Sequence, residues 1–134
     1  MGFNPRLAPY SHAIVMDADP AADAEFNCFR FPAAGQVVGV QICNDAAIAT
    51  ATNTLLIAVG KSAAGTGTFA TIASKAAGDT KAADTPYVLT LTSAASTMKF
   101  AAGDWVRIKY DETTTGTWTR MAFNIDYIIG YGTV

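Results

Sequence analysis

The side chains in this chain that could do chemistry are few and scattered. His12 is the one histidine, and no Cys-x-x-Cys, His-x-x-x-His or nearby carboxylate cluster accompanies it. Zinc needs three or four such ligands converging on one point, so no metal site is expected. Asp17, Asp19, Asp23 and Glu25 form an oxygen-rich run of the kind a hard cation collects. Their order is not that of a calcium loop: Pro20 stiffens the middle and no glycine stands at the turning position. A solvated acidic loop is the expectation. Gly60-Lys61-Ser62 has the ending of a phosphate loop, but Leu55 stands where that loop needs glycine. The triplet therefore reads as a turn after a strand. No serine lies in Gly-x-Ser-x-Gly, and a single histidine would have to serve any triad. No catalytic residue, cofactor or metal is assigned, and the chain is not read as an enzyme.

Apolar side chains in places where a core does not obviously need them leave two readings open, contact with other proteins and packing back on their own domain. Residues 1–10 read as an extended arm, since Pro5 and Pro9 remove amide donors and hold the chain open. The arm carries Phe3, Leu7 and Tyr10 as anchors and Arg6 as a charged donor. An idle tail would lack them. Trp105, Tyr110, Trp118, Phe123, Tyr127 and Tyr131 crowd the C-terminal part. Trp118 sits in a threonine-rich loop, and Tyr and Trp are favoured anchors at interfaces. The candidate contact residues are Phe3, Pro5, Arg6, Leu7, Pro9, Tyr10, Trp118, Tyr127, Ile129 and Tyr131.

Composition agrees with a contact role and narrows the partners. Charged residues make up 15% of the chain, against roughly 25% in an average soluble protein, so Thr, Ser, Asn, Gly and Ala must fill much of the surface. A surface with little charge repulsion suits a subunit covered by neighbours. The net charge is −2 with nine basic residues dispersed along the chain, which gives no stripe for a phosphate backbone. Nucleic acid is not an expected partner. Neither is a membrane: there is no apolar run of about 18 residues, and the basic-then-apolar order of a secretion signal is missing. Cytosolic residence until assembly is expected. Cys28 and Cys43 lie in neighbouring strand candidates where they could face each other, and buried free thiols are the favoured state.

The elements that must position these groups have a period of two. In the first such run, Phe26 and Cys28 oppose Asn27, Phe29 and Phe31; Val38, Val40 and Ile42 then oppose Val37, Gly39 and Gln41. Val106, Ile108 and Tyr110 alternate with Arg107 and Lys109, and Met121, Phe123, Ile125 and Tyr127 alternate with Arg120, Asn124 and Asp126. Further strands are expected over 11–18, 54–60, 68–74 and 86–92, with one helical turn at Asp19-Pro20. Ala-Ala-Gly-Asp at 76–79 and again at 101–104 supplies a turn, glycine taking positive φ and aspartate accepting from backbone amides. The expected fold is an all-β antiparallel sandwich of about eight strands, with 1–10 as arm and 11–134 as one domain. Its core is expected to hold Phe29, Phe31, Val38, Val40, Ile42, Leu55, Ile57, Leu89, Leu91, Val106, Ile108, Phe123 and Ile125.

From Phe31 onward the order of motifs resembles one known group. Gly-Gln-Val-Val-Gly-Val-Gln-Ile at 35–42 is followed by Asn44-Asp-Ala-Ala-Ile48, Thr52-Asn-Thr54, a Gly-Thr-Gly-Thr turn at 65–68 and Ala-Ala-Gly-Asp at 101–104. This order is similar to that of the capsid cement or decoration proteins of tailed phages. The resemblance implies a jelly-roll or related β-sandwich and a non-enzymatic virion protein on the capsid exterior, assembled in the host cytoplasm. Its implied partners are the major capsid protein and other copies of itself, as a homodimer or homotrimer. A head-fibre or tail-tip β-module and a carbohydrate-binding β-sandwich are the alternatives.

Overall fold

The computed structural model describes residues 10–16, 24–45, 55–62, 69–75, 82–93, 95–112 and 120–130. Its strands are β1 (Tyr10–Met16), β2 (Ala24–Arg30), β3 (Gly35–Asn44), β4 (Leu55–Ser62), β5 (Ala70–Ser74), β6 (Tyr87–Val88), β7 (Thr90–Leu91), β8 (Lys99–Phe100), β9 (Trp105–Glu112) and β10 (Met121–Ile129). A single helical turn, α1 (Ala95–Met98), precedes β8. The helical turn expected at Asp19-Pro20 lies outside the described residues.

Two antiparallel five-stranded sheets result. One has the order β1-β10-β3-β6 with β8 also on β3, and the other has the order β2-β9-β4-β5-β7. The pairing is nested: β1 takes β10, β2 takes β9, β3 takes β6 and β8, and β4 takes β5. Such a chain behaves as one long hairpin rolled so that successive layers fall alternately into two sheets, which is the jelly-roll topology. The expected all-β sandwich is the fold observed.

The core lies between the sheets. Val40, Ile42, Phe123, Ile125 and Met121 from the first sheet meet Val106, Ile108, Ile72 and Ala73 from the second, all buried. Leu91 and Phe29 are partly buried against this cluster, and the side chains of Leu55 and Ile57 lie outside those described. Val38 departs from expectation: it is 43% exposed, whereas Val37 is 2% exposed. The cause is a bulge, because Asp126 pairs with Gly39 but the next residue, Tyr127, pairs with Val37. Val38 is the extra residue, and the inward series runs Gly35, Val37, then Val40 and Ile42. A second bulge between Asn27 and Phe29 makes Cys28 the extra residue of β2 and turns Phe29 onto the core.

Tight backbone approach is built in where β3 begins. A Cβ at Gly35 would stand 2.0 Å from the Ile128 carbonyl oxygen and 2.7 Å from Phe100 Cζ. The turn at 101–104 behaves as its chemistry requires: Gly103 has φ 88° and the Ala101 amide donates to Asp104 Oδ2 at 2.9 Å. Its counterpart at 76–79 lies outside the described residues. The triplet Gly60-Lys61-Ser62, expected as a turn, instead continues β4, paired with Arg107, Val106 and Trp105.

Two substitutions test this packing by thermal or denaturant unfolding. Phe31→Ala, at a fully buried ring, is expected to cost about 3 to 5 kcal/mol. Gly35→Ala, which sets a methyl against backbone, is expected to cost about 1 to 3 kcal/mol; an unchanged midpoint would mean β3 and β10 are not so close there.

Candidate protein interface

Alternation gives each sheet an outer face, and the two faces differ in chemistry. On the first sheet the registers align Ser11, Asp126 and Gly39 in one row, Ala13, Asn124, Gln41 and Val88 in the next, and Val15, Ala122 and Cys43 in the third. Asp126 is the one charged residue in these rows, and the row beyond the bulge, Ile128, Gln36 and Lys99, adds one lysine to the same face. Asp126 accepts from the Ser11 hydroxyl and, at 2.9 Å, from Asn124 Nδ2, so its charge is engaged locally. Val15, Val38 and Val88 stand exposed around it.

The outer face of the second sheet is charged and cross-linked. Glu25 lies opposite Lys109 and Asn27 opposite Arg107. Arg107 donates from Nε to Asn27 at 3.0 Å and from Nη1 to Glu25 at 3.3 Å. Lys109 Nζ lies 4.0 Å from the other Glu25 oxygen. The Arg107 guanidinium also sits 3.8 Å over the Phe69 ring, which lies across the buried Gly60. Of the four acidic residues in the run expected as a solvated loop, Glu25 is the one described, and it belongs to this network. Asp17, Asp19 and Asp23 lie outside the described residues.

Aromatic rings close one end of the sandwich where the chain crosses from β2 to β3. Phe31 stacks on Phe100 with centroids 3.5 Å apart and planes at 7°. Tyr127 meets Phe31 edge-on at 5.3 Å and Phe100 at 5.8 Å, and Phe29 joins it at 5.7 Å. His12 stacks on Phe29 at 4.0 Å, joining β1 of one sheet to β2 of the other.

The candidate contact residues fare differently. Tyr127 is not a surface anchor: it is 7% exposed, because its place in the inward series of β10 puts its ring at the centre of the aromatic cluster. Ile129 is partly buried against the core. Tyr10 belongs to β1, where it is 48% exposed and stacks on Tyr127 at 5.7 Å. Phe3, Pro5, Arg6, Leu7, Pro9, Trp118 and Tyr131 lie outside the described residues. The weakly charged outer face of the first sheet was not singled out from sequence. Its signal is the absence of Lys, Arg and Glu at alternate positions of three strands that become neighbours only when the chain is rolled up.

Cys28 and Cys43 do not face each other: they lie in different sheets, and both are free thiols. Cys43 is half-buried on the outer face of the first sheet. Cys28 donates to the Val106 carbonyl at 3.3 Å, and burial pushes its thiol up from 9.0 to about 11, outweighing the hydrogen bonds that lower it.

No family model matches the chain, and no curated protein matches it. Among solved structures, a chain of the cyanophage Pam1 capsid asymmetric unit superposes with TM-score 0.57 at 18% identity, covering 97% of this chain and 89% of that one. A crystal structure of PirA aligns with TM-score 0.38 at 20% identity over 88% of this chain and 93% of that one. The infectious bursal disease virus Gx strain aligns with TM-score 0.41 at 10% identity, over 98% of this chain and 37% of that one. The likeness to the Pam1 chain is one of fold.

The cysteine environments predict a measurable asymmetry. Ellman's reagent at about pH 8 is expected to titrate Cys43 in the native protein and to reach Cys28 only on unfolding. The folded state keeps the Cys28 proton that an unfolded chain loses above 9.0, so this contribution is full below pH 9.0 and lost as pH rises toward about 11. Cys28→Ala is expected to show a shallower loss of stability over that window; an equal slope would place the thiol in water.

Proposed function

We propose that this chain is a non-enzymatic structural protein of a tailed-phage virion, which binds the outside of the capsid shell and stabilises it as a cement or decoration subunit. The observation that carries this reading is the jelly roll itself. A chain of a phage capsid asymmetric unit shares this fold over 97% of the present chain and 89% of its own length, so the likeness runs along nearly the full length of both chains. The order of motifs from Phe31 onward supports the same class.

Surface chemistry supports the binding part. The outer face of the first sheet has one locally engaged carboxylate in its three aligned rows, and it docks the major capsid protein in this reading. A face with few charges loses less hydration when covered than the Glu25, Arg107 and Lys109 network would. The protein self-associates as a homodimer or homotrimer, and residues 1–9 reach across to a neighbour. Extended, nine residues span about 30 Å, enough to cross a subunit seam. Phe3 and Leu7 offset the lost chain entropy by burial.

The test is co-sedimentation with capsids of the parent phage assembled without this protein, at physiological salt. Saturable binding is expected, and none at any concentration would reject the reading. Deleting residues 1–9 is expected to leave the thermal transition unchanged and to weaken binding by about tenfold or more, the loss of one good anchor. Val38→Glu with Val88→Glu, on the first sheet, is expected to weaken binding similarly, while Lys109→Gln on the opposite face is expected to leave it unchanged.

A further inference from the structure

Of the strands at sheet margins, β1 alone lacks the features that keep a margin from pairing. Exposed edges are ordinarily protected by charge, proline, bulges or extreme shortness. β2 carries Glu25, Arg30 and a bulge at Asn27/Phe29. The opposite margins, β6, β8 and β7, are two residues each. β1 is seven residues, Tyr-Ser-His-Ala-Ile-Val-Met, without lysine, arginine, carboxylate or proline. Its register with β10 runs unbroken from Tyr10↔Tyr127 to Met16↔Met121, so no bulge twists it away. Among the described residues it pairs with β10 and nothing else. It also carries two large exposed apolar side chains, Tyr10 at 48% and Val15 at 51%.

We infer that β1 of one copy pairs antiparallel with β1 of a second copy about a twofold axis at Ala13, joining the two first sheets into one. The inference deepens the self-association in the proposed function and rests on that part of it. With Ala13 opposite Ala13, Ser11 meets Val15, His12 meets Ile14 and Tyr10 meets Met16. Each pair joins residues of the same parity, so the outer set of one copy continues the outer set of the other and the inner set does likewise. That is the self-matching an isologous contact requires. The nearest carboxylate, Asp126, stands one strand back beside Ser11, and Ser11 faces the partner's Val15, so no like charges meet across the seam. Pro9 has no amide hydrogen, which limits the seam to β1 itself. A shell peptide added to the same edge would satisfy the backbone equally; a second copy is preferred because it covers both exposed apolar side chains, Val15 against Ser11 and Tyr10 against Met16, without opposing like charges.

Charge reversal at the axis tests this. Ala13 is exposed and on the outer face, so Ala13→Lys and Ala13→Glu are expected to keep the parent's melting temperature. In sedimentation velocity the parent is expected to be a concentration-dependent dimer. Each variant alone sets like charges opposite each other, which is expected to raise the dimer dissociation constant by about tenfold. An equimolar mixture of the two is expected to restore a heterodimer. A parent that stays monomeric at its solubility limit, or variants that dimerise as the parent does, would overturn the inference. So would a monomeric parent whose capsid binding is abolished by Ala13→Lys, which would assign the edge to a shell strand, removing the self-association and leaving the capsid-binding part of the proposed function standing.

Discussion

The rest of the structure depends on the contact between Phe31 and Phe100. Phe31 sits where the chain leaves the second sheet to enter the first, and its ring lies face to face with Phe100, whose strand β8 pairs with the start of β3. The crossing is pinned on both sides of the ring: the Phe31 amide donates to the Asp104 carbonyl at 2.9 Å, and the Gly103 amide donates to the Phe31 carbonyl at 2.8 Å. Gly130 donates to Ala34 at 2.8 Å, tying the end of β10 to the same corner. Removing a Cβ at Gly35 lets the Phe100 ring and the β10 backbone close over this point. A rolled hairpin has no local contact to set the separation of its sheets, and this aromatic corner supplies one.

From that corner the chemistry of the outside follows. Once Tyr127 is committed to the cluster, Asp126, Asn124 and Ala122 must face outward, and the bulge at Val38 brings Gly39 and Gln41 beside them. The first sheet thereby gains an outer face of small and amide side chains. In the second sheet the inward commitment of Val106 and Ile108 turns Arg107 and Lys109 outward, where Glu25 and Asn27 meet them. One sheet is satisfied by its own side chains, and the other presents a surface that solvates weakly.

Much of this was legible in the sequence, and what was not has a common cause. Strict alternation over 106–109 and 121–127 gave correct faces because β9 and β10 are central strands, whose partners on both sides enforce the period. The alternation failed at Val38 and around Cys28, each an extra residue at a bulge. A bulge is a property of a pair of strands, so nothing in β3 alone distinguishes Val37 from Val38 as the inward residue. Tyr127 stood on the inward face of the alternation over 121–127 and was also read as an anchor, being one aromatic among several near the C-terminus; its contacts with Phe29, Phe31 and Phe100, distant in sequence, commit it to the core. Cys28 and Cys43 were separated by the same nesting, since consecutive strands of a rolled hairpin fall in opposite sheets.

Pairing along β1 and docking through the first sheet would reinforce each other geometrically. A twofold axis through Ala13 would stand perpendicular to the sheet, so both copies would turn their weakly charged outer faces to the same side. The joined sheet then offers two docking faces on one rigid platform. Once the first copy is held against a shell, the second meets it at an effective concentration set by a fixed spacing and not by diffusion, which raises avidity by about 10² to 10⁴ over a single contact. Neither the seam nor the face has to bind tightly alone. A weak seam also keeps free copies dissociable before assembly, when an edge of seven uncharged residues is most exposed to wrong pairing. In that arrangement the low charge of the first sheet's outer face would be tolerable, because that face would be covered, and the charged second sheet would be left to face water.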